Sequence, residues 1–174
     1  MLALGYSIYF TISLALEGYT PVEFIIADAS IIEFNFTSDN TLYYNFKFNI
    51  SVRNPNYESE YMNKIHAVSY YKGNKFAAVD MTSHKLYGRT INLLKPVVFY
   101  GNNLIKLNVQ KVIEYENETR LEIFNLDLKL DIKYDKCVYC LGLRVPLISN
   151  EKSESTFNVT KCSREYQGWG SELD

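Results

Sequence analysis

Two of the three cysteines, Cys137 and Cys140, are separated by two residues, which is the spacing of a redox pair or of half a metal site. A tetrahedral metal site would also need His66 and His84, the only histidines of the chain. The segment continues as CLGLRVPL, whose alternation predicts a strand, so the two cysteines would lie about 10 Å apart at about 3.3 Å per residue. A disulfide needs Cα atoms within about 7 Å. We therefore predict neither a bound metal nor a bridge between Cys137 and Cys140.

The third cysteine, Cys162, is the better partner for Cys140. By parity, Cys140 faces away from the apolar set of its strand, which comprises Tyr139, Leu141, Leu143, Val145 and Leu147. Cys162 likewise lies opposite Phe157 and Val159. Matching faces on neighbouring strands predict a Cys140–Cys162 disulfide, whose loop of about 22 residues contributes roughly 3 kcal/mol. Cys137 is then free or bonded between chains; the alternative is three reduced thiols in the cytosol.

The sequence shows no recognised catalytic constellation. It contains no G-x-S-x-G, P-loop, H-E-x-x-H or G-x-G-x-x-G motif. His66 lies in a predicted strand and His84 in the polar run TSHK, where both are expected to be structural or solvated. Asp127 and Asp131 share an outer strand face with Lys129 between them, which is typical of a solvated charge stripe rather than of a glycosidase pair. We predict no catalytic residue, no cofactor and no enzymatic activity.

Glycan acceptors are the remaining candidate sites. The Asn-x-Ser/Thr pattern occurs at Asn35, Asn49, Asn117 and Asn158. Asn35, Asn49 and Asn158 each stand between two apolar residues, on the polar parity of a predicted strand. A glycan at these positions would project into water, as an N-linked glycan must.

Composition and charge narrow the class of protein. The chain has 174 residues, enough for one domain plus an appendage, and its 15 Tyr and 10 Phe against 4 Pro oppose disorder. Its net charge of −2 comes from 18 Lys and Arg against 20 Asp and Glu. The sequence contains no cluster of Lys and Arg residues, so a nucleic-acid partner is not predicted.

The first sixteen residues, MLALGYSIYFTISLAL, contain no charged side chain. As a helix they would span about 24 Å against a hydrocarbon core of about 30 Å. We predict that residues 1–18 form a short hydrophobic helix that acts as a membrane anchor, truncated before its cytoplasmic end. The alternatives are a signal peptide cleaved after Ala15, which lacks a basic n-region, and a buried helix or strand.

Strands and turns account for the rest of the chain. Residues 42–53 alternate with period two, and the run ends at Asn54-Pro55-Asn56 because proline cannot donate to a sheet ladder. Residues 124–134 alternate in the same way, and Lys72-Gly73-Asn74 is a hairpin signal. The other predicted strands are 24–27, 31–36, 65–71, 76–79, 97–100, 104–109, 139–147 and 156–161. Strands at this spacing without helical periodicity between them predict an all-β antiparallel sandwich of the immunoglobulin or fibronectin-III kind, with about seven or more strands.

Several of these blocks, in order, resemble a known plant family. The segments are PVEFIIADASIIEFNFT, LYYNFKFNISVRNPN, VSYYKGNKFA, CLGLRVPL and FNVTKC. Over residues 21–162 they are similar to the late-embryogenesis-abundant type-2 domain of harpin-induced-like proteins, relatives of the non-race-specific disease resistance proteins. The most specific part is the strand ending in Asn-Pro-Asn followed by Tyr-Tyr-Lys-Gly. The middle stretch SHKLYGRTINLL and the tail SREYQGWGSELD depart from the family pattern.

The resemblance implies a single-pass plasma-membrane protein with a glycosylated, disulfide-bonded domain outside the cell. Its organisation would be an anchor at 1–18, the domain at 19–162 and a C-terminal tail at 163–174, with the late cysteines of the family at Cys140 and Cys162. Its function would be defence against pathogens and stress signalling through unknown protein partners, without catalysis. The alternative is a soluble intracellular stress protein that holds an apolar or lipid ligand between its sheets.

Overall fold

The structure is a computed structural model that describes residues 20–133, 137–148 and 157–164. The described residues form mainly antiparallel strands with one helix, which confirms the all-β prediction. The elements are β1 (Glu23–Phe36), β2 (Thr41–Asn54), β3 (Glu60–Met62), β4 (Ile65–Tyr71), β5 (Asn74–Met81), β6 (His84–Leu86), β7 (Thr90–Leu93), β8 (Val97–Leu104), α1 (Val109–Leu121), β9 (Ile123–Ile132), β10 (Val138–Pro146) and β11 (Thr160–Lys161).

The first sheet is organised around a long hairpin of β1 and β2. Its strand order is β11-β1-β2-β7, and β8 pairs with β2 beside β7. The side chains on one face of β2 are all buried, as its alternation predicts: Leu42, Tyr44, Phe46, Phe48, Ile50 and Val52. The two strands predicted at 24–27 and 31–36 are one strand, since β1 continues through register shifts at Ala27 and Ile32.

The second sheet has the order β10-β9-β4-β5. The turn between β4 and β5 is Lys72-Gly73, and both residues have positive φ, at 50° and 81°. This is the backbone that a two-residue hairpin requires, and it confirms the hairpin prediction. β3 and β6 pair separately as a small third sheet.

The two larger sheets face each other across one shared core. Phe34 of β1 lies 4.9 Å from the ring of Tyr71 and 4.7 Å from the ring of Phe124, both in the second sheet. Phe46 of β2 is 5.5 Å from Phe76 of β5. Aromatic rings therefore fill the space between the sheets and hold them together.

Helix α1 corrects the predicted strand at 104–109. β8 ends at Leu104, and Asn108 caps a helix that begins at Val109 by accepting a hydrogen bond from the Lys111 amide at 2.9 Å. The helix ends at Leu121, and the next residue, Glu122, caps it in the left-handed conformation. Its buried face is formed largely by Tyr115 and Glu118, so it carries little apolar periodicity, and the prediction of no helix here was wrong.

The strands run between two ends of the molecule. The helix end contains α1, the Thr37–Thr41 turn and the Lys72-Gly73 turn. The turn end contains the Asn54-Pro55-Asn56 turn, β3, β6 and Thr20, where the described chain begins. The predicted anchor at 1–18 and most of the tail at 163–174 lie outside the described residues. Within the described ranges, no helix is both long and apolar enough to cross a membrane.

Candidate functional site

The structure joins Cys140 and Cys162 by a disulfide, with Cα atoms 4.4 Å apart. The pair is the predicted one, but the predicted face is not. Cys140 points into the core beside Val138, because a bulge between Cys140 and Leu143 reverses the alternation of β10. Gly142, with φ at 64°, forms this bulge. The disulfide therefore ties the core face of β10 to the segment that follows β11.

Cys137 is a free thiol in the structure. Its Sγ donates a hydrogen bond to Oδ1 of Asp131 at 3.1 Å. This bond and Lys129, whose Nζ is 3.5 Å from Asp131, hold the pKa of the Asp131 carboxyl below its ordinary value. The three side chains form a small polar group on the outer face of the second sheet.

The glycan acceptors lie at the surface but differ in access. Asn35, Asn117 and Asn158 are exposed, whereas Asn49 is half-buried and donates a hydrogen bond to Asp28 at 3.1 Å. Asn117 lies on α1, and Asn158, which was predicted within a strand at 156–161, precedes β11. A glycan on Asn35, Asn117 or Asn158 would project into solvent, whereas a glycan on Asn49 would disturb the hydrogen bond to Asp28.

The residues considered for catalysis are dispersed. His66 contacts Asp80 at 2.7 Å on the exposed outer face, and His84 faces the Thr82 carbonyl at 3.3 Å. Asp127 accepts the amide of Gly142 at 2.7 Å, and burial raises its pKa above the ordinary value. Among the described residues, no group of His, Cys, Asp or Glu is placed to hold a metal ion. A surface pocket of about 200 Å³ between the end of β5 and the start of β8 has Asp80, His84 and Lys95 among its lining residues.

The Asn54-Pro55-Asn56 turn organises the turn end. Asn54 is fully buried and its amide donates to the Glu58 carbonyl at 2.9 Å, while its oxygen accepts the Asn56 amide at 3.0 Å. Asn56 exchanges two hydrogen bonds with Thr20, at 2.8 and 3.0 Å. The carbonyl of Asn56 also accepts the Arg89 amide at 2.8 Å. The turn predicted from this motif is thus also the point where the N-terminal chain joins the folded body.

Exposed aromatic and basic side chains surround this turn. We call the set the aromatic patch: Tyr57, Tyr61, Lys85, Tyr87 and Arg89. The three tyrosines are 68%, 75% and 57% exposed. The Arg89 guanidinium lies 3.4 Å from the centre of the Tyr57 ring, and Lys85 Nζ lies 5.1 Å from that of Tyr87. Sequence reasoning missed the patch, since its residues come from two segments about 25 residues apart that only the β3–β6 pairing brings together.

A second exposed surface lies on the outer face of the first sheet. We call it the apolar stripe, and it comprises Ile91, Leu93, Val98, Tyr100 and Leu104. These residues stand opposite the outward, mostly polar side chains of β2, as the β2–β7 and β2–β8 registers require. Large exposed apolar side chains that share one face of a sheet can provide a contact surface.

The helix end contains a buried polar network instead. Glu118 of α1 accepts hydrogen bonds from the Tyr71 hydroxyl at 2.7 Å and the Lys72 ammonium at 2.6 Å. Asn125 donates to the same carboxylate at 2.8 Å, and Lys72 also pairs with Glu114 at 3.0 Å. Burial and the bond to Glu118 raise the pKa of the Tyr71 hydroxyl far above its ordinary value. The network fixes the helix to the sheets and is satisfied internally.

Comparison with known proteins gives two curated sequence relatives and a solved structure of low similarity. No protein-family model matches the chain. A solved structure described as a protein from Archaeoglobus fulgidus aligns with 84% of this chain and 94% of its own, at 12% identity and a TM-score of only 0.32.

Two curated relatives come from Arabidopsis thaliana. The chain is 29% identical to NDR1/HIN1-like protein 10 in an alignment 161 positions long that covers 83% of this chain and 70% of that protein. It is 26% identical to NDR1/HIN1-like protein 3 in an alignment 158 positions long that covers 83% of this chain and 68% of that protein. These matches confirm the resemblance found in the sequence: over most of its length, the chain is related to the NDR1/HIN1-like, or harpin-induced-like, proteins of plants.

Proposed function

We propose that the chain is a non-enzymatic, membrane-anchored extracellular protein that acts through protein contacts in plant defence and stress responses. The observation that carries this proposal is the similarity to two NDR1/HIN1-like proteins over 83% of the chain. We further propose that its two facing sheets are a late-embryogenesis-abundant type-2 domain with an immunoglobulin- or fibronectin-III-like sandwich arrangement.

The disulfide supports an extracellular location. Cys140 is fully buried, and its bond to Cys162 joins β10 to the segment after β11, next to an isolated bridge between Tyr139 and Ser163. Structural disulfides persist in oxidising compartments and are rare in the cytosol. The exposed acceptors Asn35, Asn117 and Asn158 agree with passage through the compartment in which N-glycans are added.

The apolar segment 1–16 supports membrane attachment. It contains no charge, and it precedes Thr20, which is already bonded to Asn56 in the folded body. A single anchor at this point would leave most of the surface open to partners, including the apolar stripe. Exposed large apolar residues on a rigid sheet suit a protein partner better than they suit catalysis, which needs converging polar groups.

The competing function is a soluble stress protein with an apolar ligand between its sheets. The stacked rings of Phe46 and Phe99, 4.7 Å apart, and the contact of Phe34 with Phe76 at 5.8 Å occupy that space. A lipid chain would have to displace these close-packed rings, which the packing energy opposes. This observation favours the extracellular contact function.

The compartment is tested on the full chain expressed in plant cells. We expect a glycosidase to increase its electrophoretic mobility, and a thiol reagent without reductant to label Cys137 but not Cys140 or Cys162. An unchanged mobility together with labelling of all three cysteines would contradict the extracellular proposal.

Membrane attachment is tested by extraction of the same cells. The anchored chain should remain in the membrane pellet after alkaline carbonate, which removes peripheral proteins. Recovery of the full chain in the soluble fraction would contradict the anchor.

A further inference from the structure

The aromatic patch at the turn end is held in a fixed shape. β3 and β6 pair Tyr61 with Lys85, and the Arg89 amide is bonded to Asn56 beside Tyr57. Gly88 lies so close to Tyr57 that a Cβ there would be 2.1 Å from the Tyr57 carbonyl oxygen. The rings are therefore positioned by the backbone but remain exposed to solvent, so contact with a ligand surface would require little ordering.

The patch is also next to the point where the N-terminal segment leaves the fold. Asn56, which bonds to Thr20 in both directions, directly precedes Tyr57. The uncharged run ends at Leu16, and the four-residue step from Leu16 to Thr20 spans at most about 14 Å. The polar headgroup layer on each side of a bilayer is about 5 to 7 Å thick. If the uncharged run is inserted in a bilayer, the turn end lies within several ångströms of the headgroups, even when the step from Leu16 to Thr20 is fully extended.

The chemistry of the patch suits that position. Tyrosine rings are enriched at membrane interfaces, where the ring meets acyl chains and the hydroxyl meets water. Lys85 and Arg89 are exposed cations whose charged groups lie against the Tyr87 and Tyr57 rings, from where they can also reach lipid phosphates. The neighbouring acids Glu58 and Glu60 offset part of this charge, so the rings rather than net charge would provide most of the contact.

We propose that the aromatic patch is a lipid-contact surface that rests in the headgroup layer of the bilayer holding the N-terminal segment. This proposal depends on the membrane anchor of the proposed function. It specifies how the folded body is oriented relative to the membrane. The turn end faces the lipid, and the helix end, with Asn35 and Asn117, points away from it. A protein partner on the patch is the competing occupant.

The test uses the full chain reconstituted into phosphatidylcholine vesicles. Trp169, the only tryptophan, is replaced by Phe, and a single tryptophan is introduced by Tyr61→Trp in the patch. The matched control is Tyr100→Trp, because Tyr100 is 78% exposed. Tyr100 pairs with Asn45 of β2. Asn45 precedes Asn54 by nine residues, which places the control about 30 Å from the turn end at about 3.3 Å per residue. Thermal unfolding of both variants checks that the fold is retained.

We expect the Tyr61→Trp emission in vesicles to lie to the blue of the Tyr100→Trp emission, and lipid brominated near its headgroup to quench Tyr61→Trp but not Tyr100→Trp. Aqueous iodide should show the reverse pattern. Iodide quenching at both positions without quenching by brominated lipid would overturn the proposal. Protection of Tyr61→Trp from both quenchers would also overturn it, in favour of a second copy of the chain on the patch.

Flotation of the same vesicles distinguishes a failure of the lipid contact from a failure of the membrane anchor on which it depends. A chain that floats and resists alkaline carbonate but shows no lipid quenching contradicts the lipid contact alone. A chain that does not float contradicts the anchor, and with it the orientation.

Discussion

Polar side chains are buried at the helix end and exposed at the turn end. At the helix end, Glu118 is buried and accepts hydrogen bonds from Tyr71, Lys72 and Asn125. At the turn end, Tyr57 and Arg89 stack on each other but remain exposed. A satisfied buried network stabilises a fold, whereas an ordered exposed group is available for contact. The helix end therefore contributes mainly to stability, and the turn end is the one for which we propose a contact.

The sharpest test of this difference is Lys72→Met. It leaves the carboxylate of Glu118 buried without its cation, and removal of one partner of a buried pair costs about 3 to 5 kcal/mol. We expect a loss near the lower bound, because Tyr71 and Asn125 still donate to Glu118. Urea unfolding measures the change. Lys75→Met, an exposed position of the same hairpin, should change stability by less than about 0.5 kcal/mol.

Removal of the disulfide should rank next. The double variant Cys140→Ala, Cys162→Ala loses a cross-link with a sequence separation of 22, which corresponds to about 3 kcal/mol. The expected fall in Tm is roughly 6 to 12 °C. Cys137→Ala is the control and should leave Tm nearly unchanged. Equal effects of the two variants would mean that the bond does not contribute to stability as proposed.

A steric change at the turn end should cost less. Gly88→Ala places a Cβ against the backbone of Tyr57, so the patch must shift, at about 1 to 3 kcal/mol. Calorimetry measures this loss. The comparison position is Gly142, where a Cβ meets nothing within 4 Å and φ is 64°. Because Asn tolerates that backbone conformation, Gly142→Asn should cost less than Gly88→Ala.

The smallest effect concerns Asp127, which lies between the two ends. Burial raises its pKa in the folded protein, so its ionised form is less favourable folded than unfolded. The stability it contributes is therefore present below its unfolded pKa and is lost as the pH rises through the folded value. Asp127→Asn still accepts the Gly142 amide and should be slightly more stable than the parent at neutral pH. Unfolding at several pH values should show this gain disappearing in acid; a gain that persists there would contradict the assignment to burial.

The regular strands were predictable because their signal is local. β2 and β9 show their buried faces as a period of two, and the Lys72-Gly73 turn shows the backbone that joins β4 to β5. Helix α1 was not predictable from periodicity because its inward residues, Tyr115 and Glu118, are polar. They become suitable for burial only when β1 and β4 supply their hydrogen-bond partners.

Local sequence patterns predicted the disulfide only in part. The chain has only three cysteines, and two of them were predicted on neighbouring strands. This was enough to select the pair Cys140 and Cys162. The face was predicted incorrectly, since strict alternation takes no account of the bulge at Gly142. A bulge is favoured by cross-strand register and by the bond to Asp127, neither of which is encoded within the strand itself.

The sequence by itself determined the all-β class, the related plant family, the long hairpin strands and the position of the Asn54-Pro55-Asn56 turn. These features depend on neighbours in the chain: side-chain alternation, proline without an amide proton, and ordered motif blocks. Only the tertiary structure decided that the turn holds Thr20, that Tyr57, Tyr61 and Tyr87 form one patch, and that Glu118 is buried among donors. The physical reason is that these contacts join residues tens of positions apart, whose meeting is set by strand pairing and core packing.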